Sequence, residues 1–154
     1  MKKFILLLAF IGLLSAEDST YKVVIDLTTS SVENFQKKIL KGIVAHKNYY
    51  EGKLKELEVA VVIHGGAYRF FVKDPKKTIY KDDKELLKAY AELKTRIESL
   101  SDTYAVEFLM CEVGMKKNKL KEKNIVSFVE LIPNSTIGLI DKQNEGYAYI
   151  PVSD

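Results

Sequence analysis

Cys111 is the only cysteine in the chain, and it falls where a thiol can do chemistry. The run Tyr104 to Met110 is apolar and β-forming, and Val113 to Lys119 follows the pattern of a short helix. A thiol between a strand end and a helix start faces the free N–H groups of the first turn, which favour the thiolate. Lys116 and Lys117 add positive charge, and Glu112 opposes them. A cysteine so placed is a candidate catalytic nucleophile; the competing reading is a small buried hydrophobe with an inert thiol.

A second group of candidates closes an earlier apolar run, Leu57 to Ile63. His64, Gly65 and Gly66 offer an imidazole and two flexible backbone N–H groups, suited to holding an anion or passing a proton to a neighbouring thiol. The alternative is a histidine ending a strand before a turn. Arg69, within the cluster Ala67-Tyr68-Arg69-Phe70-Phe71, would bind an oxyanion if that cluster lines a pocket instead of the core. His64, Gly65, Gly66 and Arg69 are therefore the candidate binding residues. The chain has two histidines, and the other, His46, lies in the middle of a helical stretch, so neither a metal site nor a cofactor is expected. Ser30 and Ser31 suit helix capping, and the G-x-S-x-G elbow of serine hydrolases is missing.

These residues need a scaffold that aligns strand ends. Tyr21 to Leu27 is β-branched and apolar, as in a strand covered on both faces. Ser30 with Glu33 forms a capping-box pair, after which Val32, Phe35, Ile39, Leu40, Ile43 and Val44 recur at helical spacing until Gly52. Leu57 to Ile63 is the second strand, whereas the period over Ala67 to Val72 is ambiguous between helix and strand. Asp82 with Glu85 marks the next cap, before a stripe of Leu86, Tyr90, Leu93, Ile97 and Leu100. Tyr104 to Met110, Phe128 to Ile132 and Tyr147 to Ile150 complete the strands, and Asn134 opens a helix over Ser135 to Asn144. Alternating strands and helices predict a three-layer α/β/α sandwich, doubly wound and flavodoxin-like, around a mostly parallel sheet of about five strands. In the common 2-1-3-4-5 order, the strands carrying His64 and Cys111 flank the first.

At 154 residues the chain suits one domain. Lys2 and Lys3, the apolar run Phe4 to Leu14, and Ser15-Ala16 form a signal-peptide pattern, predicting a leader over 1–16, a domain over 17–154 and delivery to the periplasm. The apolar run is about half the ~20 residues of a spanning helix, so the membrane is expected only as the partner of the leader. Without Lys2 and Lys3 the formal charge of +3 falls to +1. The lysines between Lys116 and Lys123 are interrupted by Glu122, a solvated face and no nucleic-acid stripe. A single cysteine forms no internal disulfide, so the domain must be held by burial.

The order of these pieces resembles the DsrE/DsrF-like family of small sulfur-relay and related proteins. The resemblance rests on the first strand Tyr21 to Leu27, Val-Val-Ile-His64-Gly65, Phe-Leu-Met-Cys111, the turn Ile132-Pro133-Asn134-Ser135 and the ending Gln143 to Ile150. It implies a three-layer α/β fold, assembly into homo-oligomers or related hetero-oligomers, and a cysteine at the position of Cys111 that carries persulfide sulfur. Its implied partners are a sulfur donor or acceptor protein or a small thiol.

Overall fold

A computed structural model describes residues Thr20 to Asp154; the leader expected over 1–16 lies outside them. Five parallel strands, β1 (Thr20–Leu27), β2 (Glu56–Ile63), β3 (Glu107–Cys111), β4 (Val129–Ile132) and β5 (Ala148–Val152), form one sheet in the order β4-β3-β2-β1-β5. The three-layer α/β architecture read from the sequence is therefore present. The strand order departs from 2-1-3-4-5, because β2 lies between β1 and β3.

Handedness explains how the layers fill. Successive steps from β1 to β4 all move the same way across the sheet, so right-handed crossovers place their helices on one face; the return from β4 to β5 places its helix on the other. The first face carries one long helix, made of α1 (Val32–Asn34), a π-helical stretch (Phe35–Lys41) and α2 (Gly42–Glu51), and beside it α3 (Lys84–Asp102). Phe35, Ile39, Ile43, Leu86, Leu93 and Ile97 bury against Ile25, Leu27, Val61, Ile63, Phe108 and Met110 in the main core. Each such side chain contributes roughly 1.5–3 kcal/mol of burial. On the opposite face α5 (Ser135–Asn144) stands alone, and only Val24, Ala60, Val62 and Leu109 are fully buried beneath it, with Leu139, Ile132 and Tyr147 packed around them.

The caps moved by one residue from those predicted. Ser31, not Ser30, caps α1 by accepting from Asn34 N–H, and Asp83, not Asp82, caps α3 by accepting from Leu86 N–H. Ser30 is taken instead by the chain's last residue: its backbone N–H and hydroxyl both donate to the Asp154 carboxylate, joined by the Thr29 hydroxyl and Ser31 N–H. The ambiguous Ala67 to Val72 segment is a 3-10 turn over Ala67–Phe71. Phe70 stacks on Phe35 at 4.1 Å and Phe71 meets Phe108 at 5.3 Å. These contacts pin the turn to the core.

Candidate functional site

Adjacent parallel strands whose following helices leave to opposite faces open a crevice at their carboxyl ends, the usual ligand position in such sheets. Here β3 and β4 are those strands. The helix α4 (Glu112–Lys117), which begins directly at Cys111, sends Met115 into the main core, whereas α5, which begins after Asn134, covers the other face. Cys111 is the last residue of β3 and pairs with Ile132 of β4. The thiol therefore sits between two helix starts.

Three amide N–H groups converge on it, those of Gly114 and Val113 at the start of α4 and of Ser135 at the start of α5. Burial pushes the thiol pKa up, but the Gly114 N–H, the Tyr68 hydroxyl and the Ser135 and Val113 N–H groups outweigh it, leaving the thiol more acidic than usual. Little of Cys111 is open to solvent, 5%. It nevertheless forms part of the wall of a pocket of about 380 Å³, together with His64, Gly65, Tyr68, Asn134 and Ser135.

Tyr68 is buried beneath the thiol and donates to the Cys111 carbonyl oxygen at 2.9 Å. Burial, then the contact with Cys111, pushes its own pKa upward, so the phenol stays a donor at all ordinary pH. Gly114 makes this approach feasible. A methyl group there would land on the Tyr68 hydroxyl, with Cζ only 2.7 Å away.

The candidate binding residues divide. His64 and Gly65 reach the pocket of Cys111, helped by strand order: Ile63 pairs with Met110, so His64 and Cys111, one residue further on, stand level on neighbouring strands. Gly65 turns the chain there with φ +60°, a conformation glycine adopts without strain. Gly66 and Arg69 belong elsewhere. The Gly66 N–H donates to Thr28 O at 2.9 Å, and Arg69 donates to Ser30 O at 2.8 Å while pairing with Asp83 at 2.6 Å. Arg69 thus ties the 3-10 turn to the start of α3, and its Nε is buried without a partner among the described residues.

The His64 ring turns toward β1, where Nε2 meets Asp26 Oδ1 at 2.5 Å, and the Tyr149 hydroxyl from β5 donates to the second oxygen of Asp26 at 2.7 Å. That hydrogen bond to Asp26 raises the Tyr149 pKa. Sequence reasoning missed Tyr68 and Tyr149 as site residues, and it placed Asp26 only at the end of the first strand, on the candidate rim, with no partner. Asp26, the acidic residue near the end of a strand whose other charged residue is Lys22, was the signal on offer.

His46 lies apart from Cys111 and His64, in a groove of about 560 Å³ between α2 and the β1–β5 edge. Among the described residues no cluster of three or more His, Cys, Asp or Glu side chains could hold a metal ion. No helix among them is long and apolar enough to cross a membrane.

A parallel α/β domain with an acidified thiol at the point where its crossovers reverse is the class these features define. Residues 11–152 match the DsrE/DsrF-like family profile, and the chain belongs to that family. An uncharacterized protein from Aquifex aeolicus (strain VF5) is 30% identical over 153 residues, 98% of this chain; the chain spans 64% of that relative's length. A protein of unknown function from Methanobacterium thermoautotrophicum shares the fold, with a TM-score of 0.54 at 17% identity, covering 85% of this chain and 98% of that one.

Proposed function

We propose that the protein handles sulfur, with Cys111 carrying it as a persulfide between a sulfane donor and an acceptor thiol, as a carrier or sulfurtransferase. The observation that carries this reading is the convergence of three N–H groups on one thiol at a pocket wall, with the Tyr68 phenol held beside it by its bond to the Cys111 carbonyl. In the loading step the Cys111 thiolate attacks the outer sulfur of a donor R–S–SH; the new S–S bond forms as the old one breaks, and R–S⁻ departs. The amide donors that hold the thiolate also suit the anionic persulfide, which presents a similar charge. Family membership supports a sulfur-relay-related role of this kind.

Residues 1–16 direct export to the periplasm, and the domain associates with copies of itself, for which Ile137 and Ile140 on the outer side of α5, 42% and 51% exposed, supply apolar surface.

Intact-mass measurement after incubation with polysulfide tests the carrier role. One added sulfur on the wild type and none on Cys111→Ser is expected, and no gain with any of several sulfane donors defeats it. The 5% exposure of Cys111 favours a second reading, a non-enzymatic binding or assembly module with an inert thiol. Native iodoacetamide labelling that is slow at neutral pH and becomes rapid only on unfolding would support that reading.

A further inference from the structure

Four chemically able side chains come from four adjacent strands: Cys111, His64 and Asp26 from the carboxyl ends of β3, β2 and β1, and, from β5, Tyr149, which stands level with Val24 and reaches its hydroxyl up to Asp26. Cys111 and His64 share the pocket, and His64, Asp26 and Tyr149 are joined by the two short hydrogen bonds already described. A carboxylate only accepts, so the Asp26 bond requires the proton on Nε2 and leaves Nδ1 as the basic nitrogen of the neutral ring. That ring has no second hydrogen-bond partner among the described residues. Its side chain keeps 27% exposure on the pocket wall, so the bare nitrogen is available to a molecule that enters. The thiolate of Cys111 draws its stabilisation from other groups, the amides and Tyr68. His64 is thus not needed to activate Cys111 and is left for another proton.

We propose that His64 is the base that deprotonates the thiol accepting sulfur from Cys111, and that Asp26, itself steadied by Tyr149, is the positioning residue that fixes the imidazole tautomer. The inference rests on the reading of Cys111 as a persulfide carrier. An acceptor R–SH gives its proton to Nδ1; the resulting R–S⁻ attacks the outer sulfur of Cys111–S–SH. The S–S bond at Cys111 breaks, the thiolate returns to its amide cradle, and R–S–SH leaves. The histidine proton then passes to solvent, and no external oxidant or reductant is required. The ionisable groups around the imidazole are Asp26, Tyr149, Cys111, Tyr68 and Lys117. The acceptor class that follows is a thiol arriving protonated at neutral pH, such as an ordinary alkyl thiol, because an acidic thiol gains nothing from the base.

The test is single-turnover delivery from persulfidated protein to 2-mercaptoethanol and, separately, to 4-nitrothiophenolate, which is already ionised at neutral pH. His64→Gln and Asp26→Asn should slow delivery to 2-mercaptoethanol at least about tenfold, the low end of general-base effects, and leave 4-nitrothiophenolate within about twofold. Tyr149→Phe should fall between wild type and Asp26→Asn, which keeps the proposal testable if the Asp26 variant folds poorly. Equal slowing with both thiols, or slowing with neither, overturns the relay while sulfur uptake by Cys111 leaves the carrier reading standing. Failure of the wild type to take up sulfur overturns both. Nitrogen-15 spectra of the unmodified wild type add a check free of variants: Nε2 protonated and Nδ1 bare is expected, and the opposite tautomer overturns the relay.

Discussion

The acidity of Cys111 depends on donors that do not themselves change charge, and Tyr68 is the one that can be removed singly. Its hydroxyl is held against Cys111 by the packing of the 3-10 turn and by the open space at Gly114. Tyr68→Phe keeps the ring and deletes the donor. The pH profile of iodoacetamide alkylation should then move to higher pH, with slower labelling at neutral pH, because the wild-type thiol pKa lies below its ordinary value. The stability cost should be about 1–3 kcal/mol, that of a buried hydrogen bond whose acceptor is left unpaired, measured by denaturant unfolding. An unchanged alkylation profile would remove Tyr68 from the account of the thiol.

At the scale of elements, the site depends on how two helices begin. Asn134 caps α5 by accepting from Ile137 N–H at 3.0 Å, and this fixes the direction of the neighbouring Ser135 N–H toward Cys111. Asn134→Ala should cost about 1 kcal/mol in chemical denaturation. It should also raise the alkylation midpoint of Cys111, the effect that separates a site role from simple capping. Much of this was legible in the residues: strands and helices follow their apolar periods, and the boundaries of α5 came out as read, Ser135 to Asn144. The caps of α1 and α3 did not, because Ser30-Ser31 and Asp82-Asp83 offer the same chemistry twice. The choice between twins is made by distant partners, Asp154 holding Ser30 and Arg69 holding Asp83. Cys111, His64, Gly65 and Asp26 could be placed at strand ends from pattern alone, but which of them meet, and that Tyr68 and Tyr149 join them, follows only from strand order. Apolar periodicity carries no record of which parallel strand lies beside which.

For the whole molecule, the thinly covered face is the weak side of the sheet, and α5 is held there partly by Lys142. Its ammonium lies 2.7 Å from Glu107 of β3 and 3.1 Å from Glu145. Burial opposes its charge, but the hydrogen bonds to Glu107 and Glu145 prevail and its pKa rises from 10.5 to about 12. The folded value exceeds the unfolded one, so this contribution, about 1–2 kcal/mol, is fully present below pH 10.5 and is lost as pH rises through about 12. Urea unfolding should show Lys142→Met less stable than wild type at neutral pH, the gap closing toward pH 12. A gap independent of pH would assign the residue to packing alone. At the far edge of the same sheet, β5 is exposed along most of its length and is fastened to the first helix through Asp154. The donors gathered around that carboxylate, the Thr29 and Ser30 hydroxyls first, hold its pKa well below the usual range. The carboxylate of this clasp therefore keeps its charge through mild acidification, and β5, so fastened, covers the flank of β1 against intruding strands of other chains.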